Sequence, residues 1–226
     1  MKRIVLVVLI FISLTPLLCA SYAETKALLY EEDMIMLVNS AVYNKTGRRR
    51  RYQNIVQRVE YMHYSNETTD ILSMNYAPKD STGIAWLYSD NSTLYYDPIY
   101  DEFTEEILFP SYLLSILPPE YALFKIISES DNSIILVNDS YTIEYRLENK
   151  LPVEKTITEH SSGKIILKSS LSDYKEIDEN LFYPMFEVRW FQHFNGVEIE
   201  NTIQDIQLKE IPESYFSKEF IRAKVN

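Results

Sequence analysis

The sequence predicts a mainly β (α+β) domain: a curled antiparallel sheet, an open half-barrel, with one helix at its N-terminal end and a helical lid or plug in its concave face. Three observations predict it. Runs such as 141–147, "YTIEYRL", alternate, with Tyr141, Ile143, Tyr145 and Leu147 on one face and Thr142, Glu144 and Arg146 on the other. Turn pairs separate these runs at Asp90-Asn91, Asp131-Asn132, Asn138-Asp139, Asn149-Lys150, Ser162-Gly163 and Asn195-Gly196. One mid-chain segment, 109–124, is apolar nearly all round and bounded by prolines, so it must be buried on most sides.

The elements follow in order. Lys2 and Arg3, an apolar run over 4–14, Pro16, and small residues at Ser21 and Ala23 have the layout of a secretory signal peptide cleaved after Ala23. The apolar run is short of the ~18 residues that a spanning helix needs. Lipid attachment at Cys19 is the weaker alternative, because Leu18 stands where a small residue is wanted. Residues 1–23 are thus the expected leader and 24–226 a single exported domain without cysteine. Leu28, Leu29, Met34, Ile35, Leu37, Val38, Ala41 and Val42 recur at roughly helical spacing, predicting a helix over 27–43 that ends at Thr46-Gly47. Arg48–Arg51 is read as a solvated helix-to-strand junction rather than a docking patch for an acidic partner. Strands are expected over 55–64, 141–147 and 186–194, the last with Phe186, Val188, Trp190 and Phe194 on one face and Glu187 and Arg189 opposite. In the final strand Val197, Ile199 and Ile203 are odd while Ile206 and Leu208 are even, which predicts a β-bulge near Gln204-Asp205.

The composition bears on function. A formal charge of −11 argues against nucleic acid as a partner, and it is a poor fit for anionic lipid headgroups. His63, His160 and His193 lie far apart and show no ligand spacing, and there is no G-x-S-x-G elbow or Gly-rich phosphate loop. Asp101-Glu102 and Glu105-Glu106 read as a solvated loop. No catalytic residue, metal or cofactor is expected.

Several stretches resemble the LolA-like family of periplasmic lipoprotein carriers and their relatives. "WLYSDNSTLYYDP", 86–98, is similar to the family's "DG-K-x-x-W-x-Y-x-P" hairpin, with Tyr95 in the Trp place and Asp97-Pro98 closing it. "FPSYLLSIL", 109–117, resembles the lid helix, residues 150–184 the later strands, and "DIQLKEIPESYF", 205–216, the ending. The family's "R-P-x-x-F-x-W" segment has no Arg or Trp counterpart in 65–78. The resemblance implies a monomeric, non-enzymatic carrier that shields lipid or lipoprotein acyl chains between an inner-membrane donor and an outer-membrane acceptor. The other role it implies is an envelope sensor that binds lipid or misfolded protein and signals to a membrane partner. Acyl chains need an apolar cavity. Trp86, Tyr88, Tyr95, Phe186, Val188 and Trp190 are the expected wall, and Leu113, Leu114 and Leu117 the expected lid. Plain core packing is the competing role for each.

Overall fold

The computed structural model describes residues 20–46, 49–65, 67–75, 84–89, 92–106, 110–192 and 196–225. The expected leader up to residue 19, the Asp90-Asn91 turn and His193 lie outside them. Among the described residues thirteen strands form one antiparallel sheet that does not close on itself. On one side lie β1 (Met34–Thr46), β2 (Arg49–Tyr64), β3 (Thr69–Asn75), β4 (Ala85–Tyr88), β5 (Thr93–Asp97) and β6 (Glu102–Glu106), which reach one edge in that order. The other side runs from β7 (Lys125–Ser130) at the far edge through β8 (Ser133–Val137), β9 (Tyr141–Glu148), β10 (Leu151–Glu159), β11 (Lys164–Asp178) and β12 (Leu181–Phe191) to β13 (Val197–Leu208). The first and last strands, β1 and β13, pair at the centre. Helix α1 (Ala20–Leu28) lies against β7, β10 and β12, and helix α2 (Lys218–Val225) follows the last strand.

Hairpins build almost all of it. Asn149 and Lys150 both take positive φ, 51° and 67°, which suits the tight β9–β10 turn, and Gly163 and Gly196 take φ of 63° and 79° in theirs. The bulge stands where the parity change requires it. Leu37 pairs with Asp205 and Val38 with Ile203, so Gln204 is the extra residue. That insertion keeps Ile203 and Ile206 both packed against the main core.

Two corrections to the sequence reading concern helices. The N-terminal helix is Ala20–Leu28, and most of 27–43 is strand β1 instead. Met34, Met36, Val38 and Ser40 are buried in strict alternation, while Ile35 and Leu37 between them are half-buried. A central strand packed on both faces reads as a continuous apolar run, which periodicity cannot tell from a buried helix. The Arg stretch therefore lies at a hairpin, with Thr46 opposite Arg49, and not at a helix-to-strand junction.

The second correction is the plug. Residues 107–124 connect β6 to β7, the two opposite edges of the sheet, so this connection must traverse the molecule. Its described part, from Pro110, does so through the main core, burying Leu113, Leu114, Ile116 and Leu117. Each such side chain contributes about 1.5–3 kcal/mol of burial. The segment is not the expected helix, however. Among its described residues only two 3-10 turns form, Ser111–Leu113 and Glu120–Ala122, the second after Pro118-Pro119.

The opposite face of β2–β6 carries a second core. Leu72, Ala85, Leu87 and Tyr96 pack there with Ile221 of α2, flanked by Tyr61, Phe103 and Phe220. The main core thus sits in the hollow with the plug, and α2 closes the back of the sheet.

Candidate functional site

The described part of the plug forms no α-helix because side chains take up its backbone groups. Lys155 of β10 is buried, and its Nζ donates to the carbonyls of Leu113, at 2.9 Å, and Ser115, at 2.5 Å. Arg189 Nη2 reaches the Leu114 carbonyl at 3.5 Å, and the Tyr145 hydroxyl donates to Ile116 O at 3.0 Å. Glu31, just before β1, accepts from the Leu117 amide at 2.9 Å. At the flanks, Ser111 Oγ donates to Thr69 O and Asn138 Nδ2 to Ala122 O. Four successive carbonyls are held by the sheet rather than by the i+4 amides of a helix, which satisfies the demand that buried polar groups be paired.

Burial drives the Lys155 ammonium down to about 7; Glu187 opposes the shift, Arg189 adds to it and Glu31 opposes it. Burial lifts the Glu31 carboxyl to about 7, against the Leu117 amide and the charges of Lys26 and Lys155. Burial raises the phenols of Tyr64 and Tyr145 well above their ordinary value, so both stay neutral donors.

Beside the plug lies a cavity of about 290 Å³. Its apolar wall comes from Val42 of β1, Val56 of β2, Ile71 of β3, Trp86 and Tyr88 of β4, Phe191 of β12, and Val197 and Ile199 of β13, with Leu114 of the plug. Its polar part comes from the same strands two or four residues along: Ser40, Arg58, Glu60, Ser73, Arg189 and Asn201. Arg58 Nε pairs with Glu60 at 2.7 Å, its Nη1 donates to Ser40 Oγ, and its Nη2 donates to Asn201 Oδ1 at 3.2 Å. Arg189 Nε pairs with Glu187 at 2.7 Å. Burial works against the Arg189 charge, but the Glu187 carboxylate outweighs it and holds the guanidinium above its ordinary pKa. A void of about 20 Å³, room for about one water, continues under the plug between Lys155, Glu187 and Ser115. The site is therefore an apolar pocket with a buried, charge-paired floor. Among the described residues no group of three or more His, Cys, Asp or Glu could hold a metal ion.

The predicted wall and lid residues divide. Trp86, Tyr88 and Leu114 line the cavity. Tyr95 is the cross-strand partner of Trp86, with ring centroids 4.6 Å apart, and backs that ring without lining the cavity. Leu113 and Leu117 are each 1% exposed and serve as core. Phe186, Val188 and Trp190 are a correction. They share a face, as expected, but it is the other one. Glu187 stands opposite Asn201 and Arg189 opposite Ile199, so Glu187, Arg189 and Phe191 form the cavity side of β12. Assigning the charged residues of that strand to solvent inverted it. The signal that could have set its phase is Tyr183 with Phe191, both buried and both odd-numbered.

The fold and site define a class: an open half-barrel holding a plug and a pocket in its hollow. Comparison with solved structures finds the same fold. A domain from Vibrio parahaemolyticus assigned to outer membrane lipoprotein sorting is similar over 89% of this chain and 97% of its own, with a TM-score of 0.62 at 13% identity. A LolA superfamily protein from Nitrosomonas europaea matches over 90% of this chain and 99% of its own, with a TM-score of 0.62 at 11% identity. A DUF1329 family protein from Desulfovibrio piger covers 91% of this chain and 96% of its own, with a TM-score of 0.53 at 12% identity. No protein-family model and no curated protein matches the sequence. The chain has a LolA-like fold.

Proposed function

We propose that this protein is an envelope carrier that binds an acyl chain of a lipid or lipoprotein in the cavity beside the plug. The observation that carries the reading is the cavity itself, apolar along Val42, Val56, Trp86 and Phe191 and polar at Arg58, Arg189 and Asn201. That layout suits an amphiphile with its tail on the wall and its polar end on the floor. The volume of about 290 Å³ exceeds the roughly 150 Å³ that accepts benzene and approaches the ~300 Å³ at which ligand pockets begin. Eight buried methylenes contribute on the order of 6 kcal/mol, a dissociation constant near 10⁻⁵ M before ordering costs. Longer or multiple chains need the plug to yield, and its attachments to the sheet include the hydrogen bonds donated by Lys155 and Tyr145 and the one that Glu31 accepts from the Leu117 amide. The likeness to lipoprotein-sorting folds supports the same reading. In this account residues 1–23 direct export and the domain from Glu24 works in the periplasm as a monomer, receiving cargo from a donor and passing it to an acceptor, without chemistry of its own.

The test fills the pocket. Val56→Trp places a ring in the cavity from a half-buried position, where there is space to take it. Binding of a fluorescent acyl chain of about ten carbons should weaken at least about ten-fold while thermal unfolding moves little. Unchanged affinity in this variant removes the cavity from consideration as the binding site.

A further inference from the structure

We propose that the paired ends of β1 and β2, beyond the last β1–β13 pair, form a docking arm for the anionic headgroups of a lipid bilayer. From Met34 to Val59 the chain has no acidic residue, although the protein as a whole carries a charge of −11. The cations of this stretch concentrate at the hairpin, where Lys45 stands opposite Arg50, Asn44 opposite Arg51 and Thr46 opposite Arg49. Asn44 opposite Val197 is the last β1–β13 pair, so the two pairs beyond it extend past their β13 neighbour. On the other side, Arg58 opposite Asn75 is the last β2–β3 pair among the described residues. The arm continues from the cavity, because Val42 and Val197 line it. Four residues separate Val42 from Thr46, a reach of about 13 Å at strand geometry.

Two further features fit a bilayer surface rather than bulk solvent. Tyr43 and Tyr52 pair across the arm between the cavity and the cations, and tyrosine is the residue type that concentrates where apolar and wet phases meet. The register jumps from Val42–Asn54 to Tyr43–Tyr52, so Gln53 is a bulge at the base of the arm, where it adds twist and bend. The acidic remainder of the protein is repelled by the same surface, which orients the molecule arm-first. The proposal does not depend on what the cavity carries.

Flotation of the purified protein, without cargo, tests it, using phosphatidylethanolamine vesicles with about one-quarter phosphatidylglycerol. Wild type and variants are expressed from the full reading frame and carry the same N-terminus. Wild type should float with these vesicles at low salt, not with phosphatidylcholine vesicles, and should be released as salt is raised. Each cation removed should weaken binding about five-fold, so Lys45→Gln with Arg49→Gln, Arg50→Gln and Arg51→Gln should lose at least about 100-fold. A control replacing the exposed Lys164, Lys168, Lys175 and Lys209 by Gln carries the same charge change and should bind like wild type. Matching circular dichroism melts establish that all variants fold. Equal loss in the control, equal binding to neutral vesicles, or no vesicle binding by wild type overturns the proposal. Binding to immobilised polyglutamate without vesicle binding also overturns it, in favour of an acidic protein partner.

Discussion

At the scale of single residues, Lys155 and Glu31 both hold the plug, and burial brings the pKa of each to about 7. Lys155 falls from 10.5 to about 7 through burial, so between those values the unfolded chain holds the extra proton. Its contribution to stability is therefore absent below about 7 and grows as pH rises toward 10.5. Glu31 has the opposite sign. Its carboxyl rises from 4.5 to about 7, so its contribution is full below 4.5 and is lost as pH rises through 7. Together they give stability a shallow minimum near neutral pH, measurable as urea midpoints at acid, neutral and mildly alkaline pH. Lys155→Met should abolish the alkaline rise and leave the acid-side fall. It should also lower stability by about 1–3 kcal/mol at neutral pH, because the carbonyls of Leu113 and Ser115 lose their donor, and by more as pH rises toward 10.5. An alkaline rise that survives in Lys155→Met assigns that slope to another group. None of these polar residues stood out in the sequence. Lys155, Arg58 and Arg189 sit in strands where alternation alone sends charge to solvent, and only the hollow of a curled sheet explains why they point inward.

At the scale of elements, the plug and β1 show how far local pattern reaches. The hairpins described around Asn132, Asn138, Asn149 and Gly163 were legible because turn chemistry is local. The Gln204 bulge was legible because parity is countable. The strand Met34–Thr46 was not, since pairing on both its edges decides its conformation and one of the two partners, β13, lies far off in sequence. Burial and the proline limits of the plug were legible from its composition. Its backbone was not, because Lys155, Tyr145 and Glu31 compete for the groups a helix would use. The plug also separates packing from binding. Leu114 lines the cavity while Leu113 beside it is pure core. Leu114→Ala should therefore enlarge the pocket and shift preference toward longer acyl chains, at a cost of about 2–5 kcal/mol. Leu113→Ala should carry a similar cost with chain-length preference unchanged. Identical preference in the two variants contradicts this division.

At the scale of the whole molecule, one sheet serves two cores with separate tasks. The face backed by α2 is filled by Leu72, Tyr96 and Ile221, whereas the hollow keeps open space beside its plug. This division places the two tryptophans differently. Trp86 lines the cavity, and Trp190 lies on the other face of β12. A fatty acid brominated along its chain quenches tryptophan only at close range, so it reports which ring it meets. The most direct measurement is quenching in Trp190→Phe, which keeps Trp86, against Trp86→Phe, which keeps Trp190. Saturable quenching of Trp86 with Trp190 unaffected is the result expected of a carrier whose cargo lies in this hollow. Quenching of Trp190 alone, or of neither ring, contradicts it.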